Sequence, residues 1–437
     1  MSGANPRYVT RPGGRIAGEI TVPGDKSVSH RAALLGAVAE GVTEIRGFLE
    51  ADDCLATLAA LEALGVGIER PRAGNVRIRG AGLKGLRAPA AALDLGNSGT
   101  AMRLLAGLLA GQRFDSILIG DASLMQRPME RIAVPLRRMG ADVRTNDGKP
   151  PLAIRGGRTL EGADHRLEFP SAQVKSALLL AGLHARGRTS VREPGTSRDH
   201  TERMLPAFGV RVLHQDGAVA IEGPASLRGT ELEVPGDFSS AAYFIVAGLI
   251  AATGPLRIRA VGVNPTRTAL IDILRLMGAD IRLHPLPDAG TEPRADIEVR
   301  PAKLRGIAVP EKLVPIALDE LPLLFAAAAV AEGDTVVTGA GELRAKESDR
   351  LAAMADGLGS LGIEVERRQD GLRVRGGAPQ GGEVDSRGDH RIAMSFAILG
   401  ARADGPVTVH HVQNVATSFP GFAETARASG LGLVKEG

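Results

Sequence analysis

Cysteine, tryptophan and aromatic side chains are scarce in this 437-residue chain: one Cys, no Trp and 3% aromatics. A single thiol excludes an intrachain disulfide and a cysteine-rich zinc site. Its acidic setting, Asp52-Asp53-Cys54, disfavours a reactive thiolate, so Cys54 reads as structural. So few aromatics leave little for base stacking, and a net charge of +3 is too small for a polyanion-coating surface. Long apolar runs are missing too. The stretches 243–253 and 321–331 are too short to cross a bilayer and no signal-peptide pattern opens the chain, so the expected setting is reducing and cytoplasmic. No P-loop, nucleophile elbow, dinucleotide fingerprint or His/Cys metal cluster is spelled, and neither metal nor cofactor is expected.

What is present is a globular composition, 44% hydrophobic and 24% charged, in a chain long enough for two domains of roughly 200 residues. An internal repeat organises it. A helix end followed by Gly and an aliphatic residue recurs at Leu64-Gly65-Val66, Met139-Gly140-Ala141, Phe208-Gly209-Val210, Met277-Gly278-Ala279, Leu361-Gly362-Ile363 and Ser429-Gly430-Leu431. Each Gly suits the left-handed residue that closes a helix, and the copies recur at about 70 residues. A second, Ala-rich helix accompanies each copy, expected over 27–40, 98–110, 171–185, 239–252, 319–332 and 389–403, with Val/Ile/Thr strands following. The unit reads as βαβαββ, six times over. The helices after Ser27, Ser98 and Ser239 are apolar on nearly every face, which predicts burial inside a shell of strands.

Two matching turns, Val22-Pro23-Gly24-Asp25 and Val234-Pro235-Gly236-Asp237, divide the chain. They bound a domain over 23–236 and a second made of 1–22 with 237–437, three repeats each. Two crossings near 22–25 and 234–237 are what a hinge needs.

Candidate chemistry gathers at the starts of the repeated helices. Lys26 and Arg31, in Asp25-Lys26-Ser27-Val28-Ser29-His30-Arg31, lie near free backbone N–H groups where an anion is favoured. Gly96-Asn97-Ser98-Gly99-Thr100-Ala101-Met102-Arg103 adds a glycine that lets a ligand approach the backbone. Ser171-Ala172-Gln173-Val174-Lys175, Arg127 before Pro128, and Ser197-Arg198-Asp199-His200 repeat the theme. The C-terminal block mixes in acids: Asp319-Glu320 at a helix start, where capping alone would account for Asp319, and Lys346-Glu347-Ser348-Asp349-Arg350, with Lys346 and Arg350 expected on one helix face. Asp389-His390-Arg391 supplies another start. Each alone is a capped or solvated helix. Together they hold cations for two anions and carboxylates for proton transfer, which suits a cofactor-independent transferase acting on two phosphorylated, carboxylated small molecules.

In order, these motifs closely resemble the 5-enolpyruvylshikimate-3-phosphate synthase family over almost the whole chain. The resemblance implies an α/β fold of two inside-out α/β barrel domains, each of three βαβαββ units, that close on substrate. It implies transfer of the enolpyruvyl group of phosphoenolpyruvate to shikimate 3-phosphate by a monomer, with no nucleic-acid or membrane partner. Carried onto matching positions, Lys26, Gly99, Arg127, Gln173, Arg350 and Arg391 would bind phosphoenolpyruvate. Ser27, Arg31, Ser171, Gln173, Ser197, Arg198, Asp319 and Lys346 would bind shikimate 3-phosphate. Asp319 would act as base at the 5-hydroxyl and Glu347 as acid and base at the methylene carbon, with Lys26 supporting the leaving phosphate; His390 would orient a neighbour.

Three positions depart from the best-known members. Ala172 replaces a Ser, Glu342 an Asn, and Thr417 a Lys that would meet phosphoenolpyruvate, a contact Lys175 is a candidate to replace. Gly99 keeps room for glyphosate, so sensitivity is expected. The rival readings are UDP-N-acetylglucosamine enolpyruvyl transferase, which usually carries a Cys in the loop matching 121–129, and a non-catalytic anion-binding protein on the same scaffold. That loop has no Cys here, and Asp319 and Glu347 speak against the second rival.

Overall fold

The structure, a computed structural model, describes residues 6–287 and 291–437. Six of its helices have almost no exposed face, and their composition explains why: beyond their polar starts they are mostly small and aliphatic residues with no polar side able to face water. Three, Lys26–Val38, Gly99–Leu109 and Ala172–Gly182, belong to a unit spanning 24–234, to which Glu292 is also assigned. The others, Phe238–Ile250, Leu321–Ala328 and His390–Leu399, belong to a unit made of 6–23, 235–287 and 293–437.

Within each unit the helices pack together and the sheets lie outside them. In 24–234 the approach of two helices depends on Gly107, where a Cβ would stand 2.1 Å from the Ala177 carbonyl oxygen. Each of its sheets has four strands, the first parallel to the second and the rest antiparallel. One runs Glu231–Glu233, Glu40–Arg46, Asn75–Ala81, Gly67–Arg72. The next runs Leu93–Asp94, Ser116–Ile119, Lys149–Arg155, Asp142–Asn146, and the last Asp164–Arg166, Gly187–Arg192, Ala218–Gly223, Val212–Gln215. Outer helices such as Asp52–Ala63 and Glu130–Arg138 bury one side only.

The second unit has the same plan. Ile16–Thr21 pairs in parallel with Ala252–Gly262, and Arg7–Thr10 lies between Val407–His410 and Leu433–Glu436. Its remaining sheet has three strands, Asp334–Val337, Gly371–Arg375 and Val365–Arg368, and the place of a fourth is taken by bridges from Arg305 to Glu332 and Ala308 to Val336. The strand ahead of the first inner helix of each unit pairs in the other unit's sheet, Ile20 with Ile258 and Leu232 with Ile45. The chain therefore changes unit at Pro23/Gly24 and again at Val234/Pro235.

All six helix-closing glycines are left-handed: Gly65, Gly140, Gly209, Gly278, Gly362 and Gly430 have φ from 77° to 97°. Helix starts shift relative to expectation. Asp25 and Asp237, rather than Ser27 and Ser239, are the N-caps, accepting from Val28 N at 2.9 Å and from Ser239 N at 2.6 Å. A carboxylate two residues upstream reaches these amides and starts the helix earlier. Asp319 is not the N-cap of the helix: it lies in the 3₁₀ turn Leu318–Glu320 ahead of it, and Glu320 holds the cap position. Lys346 and Arg350 do not share a helix face either. Asp349 caps the helix Arg350–Ser360 by accepting from Ala352 N at 3.0 Å, leaving Lys346 in extended backbone outside it.

Candidate active site

In the unit 24–234 the starts of the three inner helices carry a connected polar cluster. Lys26, in the first turn of its helix, is paired to Asp53 at 3.0 Å. Arg31 is buried one turn later. Its Nε donates to Thr201 Oγ1 at 2.7 Å, Nη1 to the Ser27 carbonyl at 2.9 Å and Nη2 to Ser176 Oγ at 2.8 Å. These three oxygens aim the guanidinium without cancelling its charge.

The second helix start brings two more cations. A Cβ on Gly99 would stand 2.9 Å from Arg103 Nη1 and 3.1 Å from Arg127 Nη1, so the missing side chain is what lets both guanidiniums lie over the helix N-terminus. Arg127 Nη2 donates to Asn97 Oδ1 at 2.6 Å, and Asn97 in turn donates to Asp121 at 2.7 Å. Arg103 Nη1 donates to Gln173 Oε1 at 2.7 Å, while Gln173 Nε2 donates to Thr100 Oγ1 at 3.0 Å. Gln173 thus links the second helix to the third.

The third start is built on Glu193. This carboxylate accepts from Ser171 N at 2.6 Å and from Ser197 Oγ at 2.7 Å, and it pairs with Lys175 at 2.7 Å. Lys175 also lies 2.7 Å from Glu202. Burial alone would lower the Lys175 pKa, but Glu202 and Glu193 outweigh it and the ammonium is held charged. Lys175 is therefore committed inward, and the expectation that it replaces a phosphate contact is not supported. Thr417, in the other unit, is uncharged, and its hydroxyl donates to the Asn414 carbonyl at 2.7 Å. Arg198 is half-buried in the loop between Ser197 and the short helix His200–Met204.

The other unit gathers the acids around two buried arginines. Arg350, 1% exposed, donates through Nε to Asp389 Oδ2 at 2.8 Å and through Nη2 to Glu347 Oε2 at 2.5 Å, and its Nη1 lies 3.5 Å from Asp319 Oδ1. Arg391 donates to the Asp319 carbonyl at 2.9 Å and lies 3.4 Å from its carboxylate. Burial alone would lower both guanidinium pKa values, yet Asp389 and Glu347 at Arg350, and Asp319 at Arg391, raise them, so both stay charged. Lys346 stands 3.8 Å from Glu342; burial lowers its pKa although Asp319 and Glu342 oppose the shift. His390 is buried at the first position of its helix.

The expected residues thus fall into two groups. Lys26, Ser27, Arg31, Gly99, Arg127, Ser171, Gln173, Ser197 and Arg198 lie in one unit; Asp319, Lys346, Glu347, Arg350 and Arg391 lie in the other. Residues that sequence reasoning gave no role include Asp53, Glu193, Glu202 and Asp389. Asp389 has a local signal, since it caps its helix through Arg391 N at 2.9 Å. The rest are partners from distant positions and have none. Cys54 is buried, as a structural thiol should be. Among the described residues no group of three or more His, Cys, Asp and Glu is placed to hold a metal ion, and no helix is long and apolar enough to cross a membrane.

Comparison with known proteins agrees in one direction. The family model for EPSP synthase (3-phosphoshikimate 1-carboxyvinyltransferase) matches residues 10–426. The chain is 56% identical over 98% of its length to a 3-phosphoshikimate 1-carboxyvinyltransferase of Methylococcus capsulatus, covering 98% of it, and 57% identical over 97% to one of Acidithiobacillus ferrooxidans, covering 98%. Among solved structures it is similar to an EPSP synthase from Acinetobacter baumannii, with TM-score 0.89, 51% identity, and 99% and 100% of the two chains covered.

Proposed function

Since the chain belongs to the EPSP synthase family, we propose that both side-chain clusters bind the substrates of one reaction and that the carboxylates of the second carry its proton transfers. The chain is an enolpyruvyl transferase. It moves the enolpyruvyl group of phosphoenolpyruvate to the 5-hydroxyl of shikimate 3-phosphate and releases phosphate, a step of aromatic amino acid biosynthesis. Its fold is the two-domain inside-out α/β fold of that family.

In the proposed assignment, Lys26, Gly99, Arg127, Gln173, Arg350 and Arg391 hold phosphoenolpyruvate. Ser27, Arg31, Ser171, Gln173, Ser197, Arg198, Asp319 and Lys346 hold shikimate 3-phosphate. Asp319 takes the proton of the 5-hydroxyl as its oxygen bonds to C2 of phosphoenolpyruvate, while Glu347 gives a proton to C3. Glu347 then takes a proton back from C3, the C2–O bond to phosphate breaks and the double bond re-forms. Lys26 and the guanidiniums meet the charge on the departing phosphate. In this proposal the enzyme acts as a monomer.

The observation that carries the assignment is Arg350. One buried guanidinium stands 2.5 Å from Glu347 and 3.5 Å from Asp319, so the two carboxylates that must act on one substrate pair share a single cation. The test is phosphate release with each acceptor. Wild-type chain should release phosphate with shikimate 3-phosphate and none with UDP-N-acetylglucosamine. Glu347→Gln and Asp319→Ala should each lose about 10²–10⁴-fold in kcat. Variants within twofold of wild type would overturn the assignment.

A further inference from the structure

The side chains of Glu193 and Lys175 are each 8% exposed, and the two Glu193 oxygens meet more groups than an ion pair needs. Oε1 accepts from the Ser171 backbone N at 2.6 Å, and Ser197 Oγ lies 2.8 Å from Oε1 and 2.7 Å from Oε2. Ser171 is the N-cap of the helix Ala172–Gly182, and its own hydroxyl oxygen accepts from Val174 N at 3.4 Å. The carboxylate therefore fixes both the turn that presents Ser171 and the loop that carries Ser197 and Arg198. Lys175 stands behind it and Glu202 behind Lys175, an acid–base–acid chain with both acids 2.7 Å from the ammonium.

The proton count shows what the arrangement does. The Ser171 hydroxyl uses a lone pair on Val174 N and keeps its proton for an anionic oxygen. Ser197 has one hydroxyl proton, and it is directed at Glu193. A ligand oxygen that takes this proton must compete with a carboxylate whose charge Lys175 already offsets. Ser171 and Ser197 are thus held at fixed positions by a group that does not itself need to touch the substrate.

We propose that Glu193 is a positioning residue for shikimate 3-phosphate, holding Ser171 through its backbone N–H and Ser197 through its hydroxyl, with Lys175 as the buried counter-ion. This rests on the assignment of Ser171 and Ser197 to that substrate. A role limited to neutralising Lys175 would be kept by any carboxylate at this position; a positioning role depends on reach.

The decisive variant is Glu193→Asp, which keeps the charge and withdraws the carboxylate by about 1.5 Å. In steady-state assays of the full chain, KM for shikimate 3-phosphate should rise about tenfold, while KM for phosphoenolpyruvate, kcat and the melting temperature stay near wild type. An unchanged KM for shikimate 3-phosphate overturns the proposal. So does a general loss in which both KM values rise, kcat falls and melting collapses, because that marks a purely structural carboxylate. The double variant Ser171→Ala/Ser197→Ala separates the two levels. If Glu193→Asp has no effect and the double variant raises KM for shikimate 3-phosphate, only the role of Glu193 falls. If neither raises it, the assignment of the two serines falls as well.

Discussion

A methyl group at Gly99 would meet the ends of two long side chains, Arg103 at 2.9 Å and Arg127 at 3.1 Å, rather than backbone. Guanidiniums on flexible stems can move a few tenths of an ångström, so Gly99→Ala should fold normally. On the proposed assignment the cost falls on phosphoenolpyruvate, which Arg127 would hold. KM for phosphoenolpyruvate should rise about fivefold, with KM for shikimate 3-phosphate changing less than twofold; equal KM values in variant and wild type would contradict the placement of Arg127 at that substrate. At this scale Lys26, Arg31, Arg350 and Arg391 were legible in the sequence because each stands near a helix start that an Asp announces. Their carboxylate partners were not. Asp53 pairs with Lys26 across 27 positions and Asp319 with Arg350 across 31, and no local pattern encodes such a pairing. Lys175 shows the resulting error: its setting reads as a spare cation, whereas Glu193 and Glu202 hold it inside.

The inner helices were readable as elements because all-round hydrophobicity admits no surface position, and the closing glycines because left-handed backbone restricts residue choice. Their first residues were less readable. Asp25 and Asp349 cap from outside the apolar run, which shortens or shifts the helix and removed Lys346 from the face expected to hold it. The end of the helix Ala172–Gly182 also carries a titrating group. His184 lies against Gly111, where a Cβ would come within 2.3 Å of its ring. Burial, aided by the charge of Lys84, lowers its pKa from 6.5 to about 4. Between those values the folded imidazole is neutral while the unfolded one is protonated, so stability is present above pH 6.5 and lost as pH falls toward 4, by at most about 3 kcal/mol. Removing the imidazole in His184→Asn should flatten the fall of melting temperature over that window. An identical slope would show that His184 does not titrate as described. His30 and His165 are also held below their ordinary range mainly by burial and should add to the same slope.

On the scale of the whole molecule, the repeat is what makes the fold readable. Six copies of one unit carry six buried helices, and most site residues lie at or near the starts of those helices. The exception in the sheets, the three-stranded one beside Leu321–Ala328, lies where the segment 301–309 is too irregular to form its strand and makes only single bridges. Neither unit alone contains all the residues assigned to the reaction: Lys26 and Arg127 lie in one, and Asp319 and Glu347 in the other. The central claim is that Glu347 delivers a proton to C3 of phosphoenolpyruvate and removes one again. The direct measurement is deuterium in the product methylene after reaction in D₂O with shikimate 3-phosphate and phosphoenolpyruvate. Wild-type chain should place solvent deuterium at that carbon, and Glu347→Gln should do so about 10²-fold or more slowly, since every product molecule must pass through a protonated C3. Deuterium incorporation by Glu347→Gln at the wild-type rate would contradict the account.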